Sequence, residues 1–295
     1  MAEQEIKAKH IVYRSKSPLW FAADFNMNIY RGCCHGCIYC DSRSDCYHND
    51  HFDVVKPKAD ALRLMENDLK HFQTKGVISM GAMTDPYNPL ERNLELTRGA
   101  LKLIKQYGFG VILATKSDLV LRDADILSDI AKQAPVLVKI TITTMNETDA
   151  SIIEPYCASS EARFAALQKL READIPAGIL LMPILPFIND TNENISTLIQ
   201  RAKACDVNFI YPYFGVTLRD GQREYFFEKL REHYPAALLK YEKYFARKYN
   251  ADSYRSKALY GLLARECAQS GIYFRMNDII RFYKKSHLEQ LAFFL

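Results

Sequence analysis

Three closely spaced cysteines could hold an iron–sulfur cluster. Cys33, Cys37 and Cys40 follow the pattern Cys-x3-Cys-x2-Cys in a glycine-containing loop. Thiolates are the usual ligands of iron–sulfur clusters, and four of them would saturate a cubane. Three thiolates leave one iron open, and an open iron can bind a small molecule through nitrogen and oxygen atoms. The spacing therefore indicates a catalytic cluster rather than one that only transfers electrons.

A zinc site and a set of inert buried thiols are the alternative interpretations of this loop. A structural zinc site needs four ligands, and Cys46, His48 or His51 could supply the fourth. Inert thiols fit less well, because glycines and a histidine lie among the cysteines and do not resemble core packing. We interpret Cys34 and Cys46 as bystanders.

The bulk composition is that of an ordinary folded protein. The chain has 295 residues, of which 48% are hydrophobic and 25% charged, so it can bury a large core. No run approaches the roughly 18 to 20 apolar residues that a membrane span requires, and the polar start lacks the apolar stretch of a secretory signal. We therefore expect a cytoplasmic protein without membrane segments, whose cysteines are ligands or thiols rather than disulfides.

Short apolar runs alternate with helical patterns between residues 24 and 216. The predicted strands are 24–30, 77–82, 110–115, 136–144, 177–182 and 208–214. The predicted helices are 62–72, 90–104, 122–132, 160–173 and 192–205. This alternation predicts a parallel sheet with right-handed crossovers. Six such units give an α/β fold in the form of a partial (β/α)6 TIM-like barrel that is open on one side.

Polar residues at the ends of the predicted strands could surround one site. In the fourth strand, apolar side chains alternate with Lys139, Thr141 and Thr143, so one face of this strand is polar. The pairs Thr84-Asp85 and Lys116-Ser117 follow the second and third strands. The carboxyl ends of barrel strands meet at one mouth. We therefore expect these residues and the cysteine loop to line a polar cavity.

The last quarter of the chain differs from the rest in charge and in aromatic content. From residue 219 onward there are fifteen Lys/Arg against nine Asp/Glu, and sixteen of the thirty-five aromatic residues. Such a segment could bind phosphates and stack bases. Alternatively, Tyr241, Tyr244, Phe245 and Tyr249 recur at helical spacing and could pack its own helices. We predict an N-terminal extension at 1–23, a barrel at 24–216 and a helical, aromatic-rich C-terminal extension at 217–295.

The cysteine loop and two later motifs resemble the radical S-adenosylmethionine superfamily, in particular its spore photoproduct lyase-like subgroup. The similar segments are 28–40, 84–91 and 115–117. The resemblance implies a [4Fe–4S] cluster on the three cysteines and S-adenosylmethionine on the open iron. It also implies reductive cleavage of the S–C5′ bond to a 5′-deoxyadenosyl radical that abstracts hydrogen from a substrate. A reductant such as flavodoxin or ferredoxin would supply the electron.

The resemblance also suggests which residues contact S-adenosylmethionine. Tyr39 would lie near the adenine, while Thr84 and Lys116 match positions that contact the methionine end and the ribose. The ammonium of Lys116 suits the methionine carboxylate. The other candidate contacts are Asp85, Ser117, Thr141 and Thr143. Asp85 could instead serve a turn, and the two strand threonines could simply favour β structure.

One departure from the family pattern concerns the second half of the reaction. Spore photoproduct lyase uses a cysteine hydrogen donor shortly before its aspartate motif, and alignment on Asp85 puts Ala82 at that position. Reversal of a thymine dimer by the same route is therefore not expected. Substrate hypotheses are nucleic acid, or else a peptide or small molecule with the C-terminal extension as a lid. A non-catalytic metal-binding module is a further alternative. We expect Tyr211 and Tyr213 to pack rather than to face the radical.

Overall fold

The computed structural model describes the backbone of residues 5–16 and 20–293, and the side chains of these residues up to 285. Parts of the predicted N-terminal extension lie outside the described residues. The strands are β1 (Val12–Arg14), β2 (Phe25–Met27), β3 (Tyr30–Arg31), β4 (Lys56–Pro57), β5 (Val77–Met80), β6 (Gly110–Thr115), β7 (Val136–Thr141), β8 (Ala177–Leu181), β9 (Phe209–Pro212), β10 (Gly215–Thr217) and β11 (Asn250–Asp252).

Eleven α-helices accompany these strands in the described part of the chain. They are α1 (Ala61–His71), α2 (Glu91–Leu94), α3 (Leu96–Gln106), α4 (Ala124–Ala131), α5 (Glu147–Ile153), α6 (Ser160–Glu172), α7 (Asn192–Ala204), α8 (Gln222–His233), α9 (Pro235–Phe245), α10 (Ser256–Gln269) and α11 (Met276–Phe293). Short 3₁₀ turns lie at Asp41–Arg43, Asp45–Tyr47 and Asp118–Asp123.

The main sheet confirms the predicted parallel architecture. Its strands follow the order β1-β2-β5-β6-β7-β8-β9, and the six from β2 to β9 are parallel. The edge strand β1 adds an antiparallel seventh strand, with Val12 opposite Met27. Among the described strands the two edges, β1 and β9, do not pair with each other. The sheet is therefore a curved, partial TIM-like barrel, as predicted.

Several predicted elements end earlier than expected or are divided. The first predicted strand, 24–30, divides into β2 and a separate β3 that pairs with β4. The predicted helix 90–104 breaks at Glu95, whose φ of 49° is left-handed. The Glu91 carboxylate accepts hydrogen bonds from the backbone of Thr97, at 2.9 Å, and of Arg98, at 3.3 Å, so it caps α3 across this break. The predicted strand 136–144 ends at Thr141.

The outer face of the sheet is buried against the helices. Val138 and Ile140 of β7 are fully buried in one cluster with Leu127 of α4 and Leu167 of α6. Burial of each such aliphatic side chain contributes about 1.5–3 kcal/mol. This packing fixes the strands, and therefore fixes the positions of the residues at their carboxyl ends.

The inner face is sealed at the amino ends of the strands by an apolar cluster that we call the floor. Its buried members are Phe21, Ala23, Val77, Ile112, Leu137, Leu180, Phe209, Ile279 and Tyr283. Phe21 lies between β1 and β2, whereas Ile279 and Tyr283 belong to α11. The Tyr283 hydroxyl donates to the carbonyl of Phe21 at 2.7 Å. Helix α11 is thus part of the closure of the barrel.

The C-terminal region is helical, as predicted, and its aromatic residues divide between packing and exposure. Tyr241 and Phe245 are buried beside Phe187, whereas Tyr244 and Tyr249 are exposed. Helix α10 packs on α7. In the described part of the chain, no helix is both long and apolar enough to cross a membrane.

Candidate functional site

A cavity of about 310 Å³ opens at the carboxyl ends of the strands. We call this end of the barrel the mouth. Predicted site residues that line the cavity are Cys33, Cys37, Cys40, Thr84, Asp85, Lys116 and Thr141. Tyr39, Ser117 and Thr143 are absent from its described lining. The structure thus brings most of the predicted residues to one place.

Two glycines give the cysteine loop its shape. Gly32 has a φ of +80°, and a Cβ there would lie 2.3 Å from the carbonyl oxygen of Val54. Gly36 has a φ of +68°, which other residues rarely adopt. The backbone NH of Cys33 donates to Phe52 at 2.7 Å, so the loop is tied to the following segment. This conformation lets three cysteines at short spacing face one cavity.

The three cysteines of the loop are free, and their surroundings shift the pKa of each thiol differently. Burial raises the pKa of Cys33, and it raises the pKa of Cys40 to about 11. A contact with Cys157, with the two sulfurs 3.8 Å apart, lowers the pKa of Cys37 to about 7. Among the described residues, no three His, Cys, Asp or Glu side chains are close enough together to hold a single ion.

The proposed fourth zinc ligands do not line this cavity. Cys46 is exposed and lies 3.5 Å from a guanidinium nitrogen of Arg219. His51 lines a separate surface depression, and the carbonyl of His48 accepts from Arg31. Three thiols around a cavity with room beside them suit the thiolate ligation of an iron–sulfur cluster.

Asp85 connects the cysteine loop to the strand ends. Its carboxylate lies 3.3 Å from His35 and accepts hydrogen bonds from the Thr115 hydroxyl and the Lys116 backbone NH, each at 2.7 Å. Burial by itself would raise the pKa of Asp85, but His35 and these donors lower it to about 2. Because its oxygens are engaged by the protein, Asp85 positions its neighbours.

Lys116 lies within a buried charge network. Burial lowers the pKa of its ammonium, but Cys37 and Glu154 reverse this effect and raise it overall. The Tyr39 hydroxyl donates to Glu154, and Lys116 lies 5.7 Å from the centre of the Tyr39 ring. Glu154 also pairs with Arg163 at 2.6 Å. Tyr39 therefore belongs to this network, although it is absent from the described lining of the cavity.

The remaining predicted residues have different surroundings. Thr141 ends β7 and lines the cavity, whereas Thr143 is fully buried beyond the strand end. The side-chain amides of Asn189 and Asn194 donate to the Thr143 carbonyl at 3.1 and 2.9 Å, which fixes the backbone just after β7. Ser117 accepts from the Leu119 NH at 3.2 Å and caps the following 3₁₀ turn.

Four residues that contribute to the site were not predicted from the sequence to be functional. They are His35, Glu154, Cys157 and Arg163. Arg163 lies within the apolar face of α6, and only its 1% exposure reveals its role as a buried partner. Glu154 and Cys157 follow α5, a helix that the periodicity did not predict. The one available signal was His35, which lies between two cysteine ligands.

Ala82, which the alignment puts at the position of the family's hydrogen donor, lines the cavity, and the cysteines in the described lining are those of the loop. Tyr211 packs edge-on against Trp20 and Phe21, with ring centres 5.4 Å apart in each pair. The Tyr213 hydroxyl donates to Asp252 at 3.3 Å.

Comparisons with known proteins agree with this arrangement. A spore photoproduct lyase complexed with dinucleoside spore photoproduct has the same fold, with a TM-score of 0.60 and 15% identity over 86% of this chain and 77% of the lyase. An uncharacterized protein of Methanocaldococcus jannaschii is 35% identical over 63% of this chain and 69% of its own length. Another, from Mycobacterium tuberculosis, is 26% identical over 78% of this chain and 70% of its own.

A family model adds a match to more than half of the chain. The model described as the radical SAM superfamily covers residues 27–199, which include the cysteine loop and most of the parallel sheet. Members of this superfamily use an iron–sulfur cluster to cleave S-adenosylmethionine reductively. The chain therefore belongs to the radical SAM superfamily and is an enzyme of that family.

Proposed function

We propose that Cys33, Cys37 and Cys40 hold a [4Fe–4S] cluster with one iron open to S-adenosylmethionine. The observation that carries this assignment is the convergence of the three thiols on one cavity that also contains Lys116. When bound, the cluster supplies the electron that cleaves the S–C5′ bond and yields the 5′-deoxyadenosyl radical. Cys34, Cys46 and Cys157 are outside the ligand set.

The protein side chains bind and orient S-adenosylmethionine. The Lys116 ammonium pairs with the methionine carboxylate, and Thr84 and Thr141 offer hydroxyls at the cavity wall. Asp85 holds the Lys116 backbone and the His35 side chain in position through its carboxylate contacts. The floor prevents water from entering through the amino ends of the strands, which protects a radical from premature quenching.

Anaerobic reconstitution tests this part of the proposal. Protein reconstituted with iron and sulfide, and then given dithionite and S-adenosylmethionine, should form 5′-deoxyadenosine. Cys37→Ser should lower the rate of 5′-deoxyadenosine formation by more than about 100-fold, because loss of even a residue that contacts a metal ligand costs about 10- to 100-fold in metal affinity or activity. Cys34→Ser is the matched control in the same loop and should retain the activity. Absence of 5′-deoxyadenosine despite a full iron and sulfide content would disprove the proposal.

We further propose that the substrate is nucleic acid. A groove of about 320 Å³ beside the mouth contains Lys7, Arg31 and Lys58, and no carboxylate is among its described lining residues. We call it the cationic groove. It shares Thr84 with the cavity, so a phosphate backbone lying in the groove would pass the site. The dinucleoside ligand of the structurally similar lyase supports this substrate class.

The C-terminal extension offers a second basic surface for the same ligand. On and after α9, the cations Lys240, Lys243, Arg247 and Lys248 are exposed. Exposed tyrosines accompany them, including Tyr254, which is 63% exposed. Cations beside exposed aromatic rings can bind phosphates and stack bases. We propose that this extension, residues 217–295, binds substrate for the barrel of residues 24–216. Residues 1–23 form the N-terminal extension before the barrel.

Binding to a single-stranded oligonucleotide at several salt concentrations tests the substrate class. Arg31→Ala combined with Lys58→Ala should weaken binding and reduce the slope of log affinity against log salt by about 1.4, or about 0.7 per lost phosphate contact. Lys102→Ala, at an exposed position on α3, is the matched control. Affinity that is absent at low salt, or unaffected by the double change, would favour a peptide or small-molecule substrate. Electron supply by flavodoxin or ferredoxin, and a cytoplasmic location, complete the proposal.

A further inference from the structure

A lysine is buried on the inner wall of the barrel, where no acid accompanies it. Lys139 lies in β7, is 1% exposed and lines the mouth cavity. Its ammonium nitrogen is 4.2 Å from the centre of the Phe21 ring and 5.7 Å from that of Trp20. Within the described part of the chain, these rings are its recorded partners, and no hydrogen bond or ion pair to it is found.

Burial of this ammonium is unfavourable, because aromatic rings replace only part of its lost hydration. Burial alone lowers the pKa of Lys139 to about 7, and no neighbouring carboxylate opposes the effect. A methionine or leucine would fill the same space without this cost. A lysine that remains uncompensated in a cavity therefore indicates that its counter-charge arrives with a ligand.

The other charged groups of the cavity already have partners. Asp85 pairs with His35, and Lys116 is offset by Cys37 and Glu154. The titratable groups that share the cavity with Lys139 are these residues and the cysteine ligands Cys33, Cys37 and Cys40. None of them contributes to the pKa shift of Lys139. A second anion, beyond the methionine carboxylate assigned to Lys116, would therefore find in Lys139 a cation without a counter-charge among the described residues.

The neighbours of Lys139 leave room for such a group. In the sheet register, Lys139 lies between Ala114 of β6 and Gly178 of β8, which are among the smallest residues. A Cβ at Gly178 would lie 2.3 Å from the carbonyl oxygen of Phe209, so Phe209 already fills the place of a larger side chain there. The room for a ligand is the mouth cavity of about 310 Å³, which Lys139 and Ala114 both line.

We propose that Lys139 binds an oxyanion of the substrate, either a phosphate or a carboxylate oxygen, inside the barrel. The inference rests on the proposed radical function and narrows the substrate to a molecule that carries this group near the hydrogen to be removed. A phosphate agrees with a nucleotide substrate, and a carboxylate agrees with a peptide or an organic acid.

Pulsed acetylation with acetic anhydride, followed by mass spectrometry, tests the proposal on the reconstituted protein without turnover. Lys139 should become reactive with a midpoint near pH 7, whereas exposed Lys102 should react only in the ordinary lysine range. Inorganic phosphate or acetate should each be tried at millimolar concentration. A bound oxyanion that raises the pKa of Lys139 from about 7 by one unit should slow its labelling at pH 7 about fivefold. Lys102 should be unaffected.

Each outcome decides the proposal. Protection by phosphate alone supports a phosphoryl-bearing substrate, and protection by acetate alone supports a carboxylate. Protection by neither anion, or equal protection by S-adenosylmethionine alone, overturns the proposal, since the latter places Lys139 in the cofactor site. Lys139→Met should unfold at higher denaturant concentration than wild type, and a lower midpoint would show that Lys139 has a structural role instead. Because no turnover is measured, failure of radical formation would be separately visible in the deoxyadenosine assay.

Discussion

At the amino ends of the strands the inner face is packed with Val77, Ile112 and Leu137, and α11 covers it. At the carboxyl ends the same face carries Ser79, Lys139 and Thr141 around a cavity. The strands are continuous between the two ends, and only the residue type at the inward positions changes. Apolar packing on the inner face is thus concentrated at the floor, while the mouth retains charged and polar groups for binding.

The largest change in the free energy of unfolding is expected for the buried ion pair of Glu154 and Arg163. Glu154→Gln leaves the Arg163 guanidinium, which is 1% exposed, without its counter-charge. Removal of one partner of a buried pair costs about 3–5 kcal/mol. Urea unfolding should show this loss, whereas Glu161→Gln, in the exposed pair with Arg201, should cost less than about 1 kcal/mol. Equal costs would show that polar groups at the mouth contribute no more to stability than surface pairs.

A cavity in the floor should affect stability without affecting the ligands at the mouth. Ile279→Ala removes a fully buried side chain of α11 and should lower the free energy of unfolding by about 3 kcal/mol. Iron content and affinity for S-adenosylmethionine, measured on the folded fraction, should stay the same. A loss of cluster in this variant would contradict the division between floor and mouth.

The contribution of Asp85 should depend on pH in a defined direction. Its pKa in the folded protein, about 2, lies below the ordinary value of 3.8, so the carboxylate stabilises the fold above about pH 4. This contribution, about 2 kcal/mol, is lost as the pH falls towards 2. Unfolding measured over this range should be less pH-dependent in Asp85→Asn than in wild type. Parallel pH profiles would show that the contacts of Asp85 do not stabilise the fold.

The smallest effect separates the two threonines. The Thr143 hydroxyl is buried and has no hydrogen-bond partner among the described residues, so Thr143→Val should leave stability unchanged or raise it by up to about 1 kcal/mol. Thr141→Val should instead weaken binding of S-adenosylmethionine, because Thr141 lines the cavity. Calorimetric titration and urea unfolding of both variants provide the check. Weaker binding in Thr143→Val alone would reverse this assignment.

Local patterns in the sequence were enough to predict much of this molecule. The six parallel strands, the helices between them and the position of the cysteine loop follow from short-range periodicity and spacing. The polar inward face of β7 also followed from alternation, and it placed Lys139 and Thr141 on the correct side. These features are legible because each depends on residues that are neighbours in the chain.

Features that depend on contacts between residues distant in the chain could not be predicted from the sequence. Strand β1 is only three residues long, and its antiparallel pairing with β2 depends on the packing around Ile11 and Val12. The end of β7 depends on Asn189 and Asn194, about fifty residues away. The engagement of Tyr39 by Glu154 joins residues 115 positions apart. No periodicity records such contacts.

The hydrogen bond between Tyr283 and Phe21 spans 262 residues of sequence. Contacts of such long range form late, because the loop that they close is costly in entropy. During synthesis, a chain that contains every strand of the sheet still lacks α11, so the floor is incomplete. The floor can be completed only after the chain has been made through residue 283. This gives an order of assembly in which the strands of the barrel come first and the floor second.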